Sequence, residues 1–204
     1  MAVDLSRWER ERFESVAASE RPVLVLDPGH GGTDPGAVGP SGLRECDVAL
    51  AVCLAMRVPL LELGWQVLYT RSDDRLVSLV ERCRFSNSVK AQAFVSVHAN
   101  SFYSHTAHGF EVWTSPGDTP ADPIATSIYN AVVGTFPDAI GRPDLGDGDP
   151  DKEARFKVLT GTFAAAVLVE TAFISNPREE AWLADPGWRM RMAGAIVSGI
   201  GRAT

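Results

Sequence analysis

The sequence has 204 residues, 45% of them hydrophobic, which is enough for one domain with a sizeable core. Its 19 Lys and Arg residues against 26 Asp and Glu residues give a formal net charge of −7 at pH 7. Because no run of basic residues could follow a phosphate backbone, this composition argues against nucleic acid as a partner.

The sequence also predicts no membrane span, because no stretch of about eighteen consecutive apolar residues occurs. Residues 1–20 are too charged to contain the apolar core of a signal peptide. We therefore expect either a protein that reaches its site of action without a conventional signal or a trimmed form of a longer one. The sequence does not indicate an oligomeric state.

The three cysteines, Cys46, Cys53 and Cys83, are odd in number and form no CxxC pair. This arrangement predicts neither a disulfide framework nor a zinc ribbon. Cys46 and Cys53 are seven residues apart and can share one face of a helix. We expect them to be small buried apolar side chains.

The chain divides into a short N-terminal extension, residues 1–21, and a single domain, residues 22–204. The extension places apolar side chains among charges in a loose amphipathic helical pattern and is expected to pack outside the core. From Pro22 onward, short apolar runs alternate with longer helical patterns. This rhythm predicts an α/β fold, with a twisted, mostly parallel or mixed sheet of about six strands and helices on both faces.

The elements follow one another along the domain. Apolar runs predict strands at residues 23–26, 66–69, 93–97, 109–113 and 167–169, with a weaker one at 156–159. Helical patterns cover residues 45–63, 76–91, 120–134, 177–184 and 187–201. Residues 141–151 are rich in Gly, Pro and Asp and predict a surface loop, of the kind that often borders a binding cleft.

The first candidate for chemistry is His30, which follows the first predicted strand in the segment VLVLDPGHGGTDPGAVGP. Strand ends in an open α/β sheet face the ligand crevice, so His30 is placed for function rather than core packing. No GK[ST] follows the glycines and GHGGTD does not match GxGxxG, so a phosphate-binding loop is not indicated.

A second histidine, His98, stands at the end of another buried strand in AQAFVSVHANS. Two imidazoles at neighbouring strand ends can converge on one point, which is typical of a zinc site. A hydrolytic zinc site commonly takes a third protein ligand. Glu45, which opens the first helix, is one candidate, and His105 and His108 are others. Spacing alone leaves this choice open, since a carboxylate in the first turn also interacts well with the helix dipole.

A carboxylate, Glu170, ends the strongly apolar run in AAAVLVETAFISN. A carboxylate there is costly unless it is paired, hydrogen-bonded or functional. Beside a metal-activated water it could act as general base and then deliver the proton to a leaving amine. Glu111, in GFEVW, is the rival, but strand alternation predicts that it lies on a strand flank rather than at the rim.

Six segments occur in the order found in zinc-dependent N-acetylmuramoyl-L-alanine amidases: DPGHGGTDPGA, GLRE, TRSDD followed by LVERCRFSN, FVSVHANS, HGFEVW and LVETAFISN. The sequence resembles this family over about residues 22–201. The resemblance implies that His30, Glu45 and His98 hold Zn²⁺ and that Glu170 is the catalytic glutamate. It also implies a hydrolase that cleaves the amide between N-acetylmuramic acid and L-alanine in peptidoglycan, acting at the cell wall in the periplasm or outside the cell.

Other residues match family positions as well. Asp27 and Asn100 could support the site or contact substrate, although local turn hydrogen bonds would explain them equally well. For Arg71, Asp73 and Arg82 we expect structural ion pairs on the surface of the sheet and helix.

Some members of the family carry a long inserted helix that plugs the zinc site. Only sixty residues separate Gly109 from Glu170, and the predicted strand, helix and loop use most of them. We therefore expect an open enzyme without an autoinhibitory helix, as in lysins and wall-remodelling members. Two alternatives stay open: another zinc peptidase acting on wall peptides, and a non-catalytic peptidoglycan-binding module, which should have lost a ligand or the glutamate.

Overall fold

The computed structural model describes residues 21–203, so the helix predicted in the N-terminal extension lies outside the described residues. The described part contains one six-stranded sheet with the order β2-β1-β3-β6-β4-β5. Its strands are β1 (Val23–Pro28), β2 (Gln66–Tyr69), β3 (Ala93–Asn100), β4 (Glu111–Thr114), β5 (Lys152–Glu153) and β6 (Ala165–Phe173).

Six helices connect these strands in the described part of the chain. They are α1 (Glu45–Glu62), α2 (Leu79–Ser88), α3 (Asp122–Thr135), α4 (Lys157–Gly161), α5 (Pro177–Ala184) and α6 (Pro186–Ala203). The start of α2 is set by a capping box, in which Ser78 and Glu81 each satisfy a backbone N–H of the other.

The sheet is mixed. Strands β2, β1, β3 and β6 run parallel to one another. Strand β4 is antiparallel to β6, and β5 runs parallel to β4. The carboxyl ends of β1, β3 and β6 therefore meet the beginning of β4 at one edge, where ligands commonly bind in such sheets.

Alternation along the strands buries side chains on both faces of the sheet. On one face, Leu24, Val95 and Val167 join a large cluster with residues of α1, α3 and α6. On the other face, Val25 and Phe94 join a smaller cluster with residues of α2 and α4. Helices thus cover both faces, and the predicted fold class is confirmed.

Two short segments differ from the predicted elements. Residues 156–159 are not a strand: the Phe156 carbonyl accepts hydrogen bonds from the N–H groups of Leu159 and Thr160 and opens the short helix α4. Because β3 and β4 already pair with the two sides of β6, residues 156–159 cannot pair with β6 as a further strand. Strand β5, only two charged residues long, carries no apolar alternation and was not predicted.

Other expectations hold. Residues 141–151 contain no helix or strand. Cys46 and Cys53 are buried, as predicted, and Cys83 is buried as well. Within residues 21–203, no helix combines the length and apolar character needed to cross a membrane.

Candidate active site

His30 lies in the tight loop that follows β1. Its own φ is +56°, and Gly31 and Gly32 follow at +126° and +62°, so the chain turns through conformations that favour glycine. The turn brings the His30 ring to the sheet edge, where its Nδ1 lies 2.8 Å from Oδ2 of Asp34. A carboxylate on one ring nitrogen fixes the orientation of the ring and leaves Nε2 facing the site.

His98 lies near the end of β3 and meets His30 edge-on, with ring centroids 5.1 Å apart. Its ring occupies the space above Gly29, because a Cβ at Gly29 would overlap the imidazole. The glycine of the DPGH segment is therefore required by the neighbouring strand's side chain as well as by the turn.

Glu45, the first residue of α1, lies between the two histidines. Its Oε1 is 2.8 Å from His98 Nδ1 and 3.2 Å from His30 Nε2. The backbone N–H groups of Ala37 and Ala99 also donate to its carboxylate, at 2.8 and 3.2 Å. These contacts consequently hold the side chain in one orientation.

The charges of this group are complementary. Burial disfavours the charged form of Glu45, but hydrogen bonds from His30 and His98 outweigh it and hold the pKa of this carboxyl far below its ordinary value. The hydrogen bond to Glu45 is the main cause that raises the pKa of His30 to about 9. The group formed by His30, Glu45 and His98 therefore favours a bound positive charge.

The three side chains can offer one ligand atom each, all within 4.8 Å of one another. Two imidazole nitrogens and one carboxylate oxygen suit Zn²⁺, which takes such donors in catalytic sites. Among the described residues, no other His, Cys, Asp or Glu side chains form such a group of three or more.

The rival ligands lie elsewhere. His105 donates from Nδ1 to the carbonyl of Ser175, and His108 donates to the carbonyl of Thr106. The structure thus brings Glu45, rather than these two histidines, to His30 and His98.

Two buried arginines donate hydrogen bonds to backbone carbonyls of the loop that carries His30. Arg82 forms an ion pair with Asp27 at 2.7 Å and donates to the carbonyl of His30 at 2.7 Å. Arg71 donates to the carbonyls of Gly29 and Cys46, at 2.7 and 2.9 Å. Since each guanidinium carries several N–H donors, one arginine can donate to several backbone carbonyls at once.

The predicted ion pair is found for Arg82, whereas Arg71 donates to backbone carbonyls instead. The predicted surface position is wrong for both, because both are buried beneath the loop. Asp73 does lie at the surface, 3.4 Å from Arg75. Asp27 is buried and also accepts hydrogen bonds from Thr70 and Ser96, so it supports the loop from below.

Glu170 stands beside the three candidate ligands. Its Cα is paired in register with that of His98 on β3 and with that of Glu111 on β4. The residue is half-buried, but its Oε2 is shielded and has no hydrogen-bond partner among the described residues. Burial, together with the charges of Glu45 and Glu111, raises the pKa of Glu170 to about 7, against the opposing effect of His98.

Glu111 lies nearer the site than predicted, because β4 begins next to the end of β6. Unlike Glu170, it is fully paired: Arg142, Lys152 and Asn100 donate to it, at 2.7, 3.0 and 3.0 Å. The oxygens of Glu111 are thus occupied by donors, whereas Oε2 of Glu170 has none among the described residues. The contrast favours Glu170 as the acid and base.

These partners of Glu111 line a cleft of about 520 Å³. Sequence reasoning did not identify Arg142, Lys152 or Asp34 as parts of the site. The cleft is lined by Asn100, Phe102, Ser104, Thr106, Ala107, His108, Glu111, Trp113, Arg142, Lys152 and Phe173.

The sequence of this chain is similar to those of known proteins. The chain is 34% identical to N-acetylmuramoyl-L-alanine amidase AmiC of Neisseria meningitidis over 89% of its own length and 52% of that protein. It is 31% identical to AmiA of Escherichia coli over 87% of its length and 74% of that protein. The chain thus spans about half the length of the Neisseria relative.

Solved structures agree. N-acetylmuramoyl-L-alanine amidase AmiC2 of Nostoc punctiforme superposes with a TM-score of 0.80 at 33% identity, covering 90% of this chain and 97% of that one. The catalytic domain of CwlV from Bacillus (Paenibacillus) polymyxa gives a TM-score of 0.78 at 31% identity, covering 89% of this chain and 97% of that one. The model of the N-acetylmuramoyl-L-alanine amidase family matches residues 24–202, and the chain therefore belongs to that family.

Proposed function

We propose that this chain is a zinc-dependent hydrolase that cleaves the amide between the lactyl group of N-acetylmuramic acid and L-alanine in peptidoglycan. Residues 22–204 would form the catalytic domain and residues 1–21 an extension to it. The observation that carries the proposal is the unpaired carboxyl of Glu170 beside the group formed by His30, Glu45 and His98.

His30, Glu45 and His98 would hold the zinc ion. Bound there, zinc supplies a Lewis acid that polarises the amide carbonyl and makes water acidic enough to react near neutral pH. Asp34 orients the His30 ring, and the backbone N–H groups of Ala37 and Ala99 orient the carboxylate of Glu45.

Glu170 would take the proton of the attacking water and then deliver it to the nitrogen of the leaving L-alanine. Its shielded Oε2, which has no hydrogen-bond partner among the described residues, leaves this carboxyl available to accept and release a proton in one turnover. Glu111, by contrast, is paired with Arg142 and Lys152.

The strands and helices found between Gly109 and Glu170 account for this segment without a long inserted helix. Helix α3, the longest element in it, packs on α6 and β4 on the core side of the sheet. We propose that the enzyme acts without an activator protein. Because its substrate is the wall polymer, its place of action is outside the cytoplasm.

Product mapping tests the proposal. Zinc-loaded protein is incubated with purified muropeptides, and the products are identified by mass spectrometry. An amidase releases intact stem peptides with free L-alanine N-termini. Cleavage inside the stem peptide would indicate a zinc peptidase instead, and binding without cleavage would indicate a wall-binding module.

A further inference from the structure

Both ends of one loop meet the cleft. Arg142 and Lys152 donate to the same oxygen of Glu111, and residues 143–151 between them form what we call the acidic loop. The N–H of Asp144 and the carbonyl of Pro150, 3.4 Å apart, close its base. The conformation of the acidic loop therefore determines where the two cations of the cleft lie.

Two carboxylates of the acidic loop are turned inward. The side chain of Asp151 is buried, with 2% of the residue exposed, and Thr114 donates to its Oδ2 at 2.7 Å. Its Oδ1 and the Oδ1 of Asp149 are both shielded from solvent, and neither has a hydrogen-bond partner among the described residues. Burying such oxygens without a partner is unfavourable.

The two carboxyls also repel each other. Burial is the main cause that raises the pKa of Asp151, and the adjacent Asp149 and the charge of Asp122 raise it further. The two cations that line the cleft, Arg142 and Lys152, pair with Glu111. Oxygens of this kind, close together and without donors, are suited to a hard cation.

We propose that the acidic loop binds one Ca²⁺ ion through Oδ1 of Asp149 and Oδ1 of Asp151, at a site separate from the histidine group. Carbonyl oxygens of the loop and water would complete the coordination. Calcium fits better than zinc because the donors are oxygens only. It fits better than magnesium because an irregular loop does not impose octahedral geometry.

The ion would link the loop to the cleft. Lys152 follows directly after Asp151, and Arg142 directly precedes the acidic loop. Bound calcium would therefore hold both cations against Glu111 and keep the cleft formed. This inference concerns a binding site and does not depend on the proposed reaction.

The test measures binding rather than activity. Zinc-loaded protein is titrated with CaCl₂ by calorimetry, and its thermal unfolding midpoint is recorded with CaCl₂ or MgCl₂. We expect saturable calcium binding and a rise in the midpoint, because a ligand that binds only the folded state stabilises it. Magnesium should give a smaller rise at equal concentration.

Asp151→Asn and Asp149→Asn keep the side-chain shape and should weaken calcium binding by at least about tenfold. The matched control is Asp138→Asn, which removes one exposed carboxylate outside the loop and should bind calcium as the parent does. If the two carboxyls instead share a proton, calcium will not bind the parent, and the proposal fails. Equal binding by parent and Asp151→Asn would overturn it as well.

Discussion

His98 and Glu170 occupy paired positions on the neighbouring parallel strands β3 and β6. In parallel strands, paired residues project to the same face at the same height along the sheet. A candidate ligand and a candidate proton acceptor are thereby set side by side by backbone pairing alone. The arrangement makes the role of Glu170 separable from metal binding by mutation.

Replacing Glu170 with Gln should abolish proton transfer and leave the candidate ligands intact. General acid and base catalysis is worth about 10² to 10⁴ in rate, so kcat should fall by at least about 10²-fold while zinc content stays unchanged. Release of stem peptide and metal content per chain are measured on the same preparation. Glu62→Gln, at the exposed end of α1, serves as control. Unchanged turnover in Glu170→Gln would refute the role.

Loss of a ligand should remove both metal and activity. His30→Ala and His98→Ala each delete one imidazole donor, and Glu45→Gln removes the charge that draws a cation between them. Metal analysis after dialysis should show zinc well below one ion per chain in all three. His105→Ala, whose ring binds the Ser175 carbonyl, should keep its zinc.

Chelation offers the reversible counterpart of these variants. Activity should disappear with a strong chelator and return when zinc is added back. A metal-free sample that still cleaved muropeptides at the full rate would rule out the metal mechanism.

The raised pKa of Glu170 predicts how the stability of the metal-free protein depends on pH. The folded state holds the proton up to about pH 7, whereas the ordinary value is 4.5, so the folded state binds more protons between these values. Stability should therefore fall as pH rises from about 4.5 to about 7 and stay lower above that range. In Glu170→Gln this pH-dependent fall in stability should be absent.

The comparison of interest is the difference between parent and Glu170→Gln in chemical denaturation at pH 5 and pH 8. After allowance for partial exposure, the variant should gain about 1–3 kcal/mol more at pH 8 than at pH 5. A cation at the histidine group would favour the charged form, so the effect belongs to the metal-free protein. An equal difference at both pH values would show that Glu170 titrates normally.

Gly29→Ala tests the geometry of the histidine group without removing a ligand. The added Cβ would overlap the imidazole of His98, so the ring must move and zinc affinity should drop by about tenfold or more. Gly134→Ala is the control, because nothing lies within 4 Å of a Cβ there and the site is in helix α3. That control should be neutral or more stable by about 0.5–1 kcal/mol.

Much of the fold and site could be predicted because it depends on local pattern. The apolar runs before His30 and His98 identify buried strands, and chain direction then sets which end carries the histidines. The sheet edge where both meet follows from parallel pairing. Glu170 could be found in the same way, as a carboxylate that interrupts an apolar strand.

What could not be predicted depends on distant contacts. The ion-pair partners of Glu111 are Arg142 and Lys152, which lie 31 and 41 residues further along the chain. No period or spacing in the sequence links them. The choice of Glu45 over His105 depends likewise on the path of the loop before α1, which backbone turns determine. Local pattern also failed for residues 156–159, where a few apolar residues fit either a strand or a helical turn.

The strand order has a consequence for how the protein assembles. Strand β6, late in the chain, lies between β3 and β4, so β4 has no partner in the main sheet until β6 arrives. His30, Glu45 and His98 are all synthesised before it, and β1 and β3 can pair without it. A nascent chain could therefore gather its candidate ligands early, yet the carboxyl of Glu170 would join them only as the sheet closes. Such non-local pairing is a slow step in folding, and hydrolytic competence would appear last.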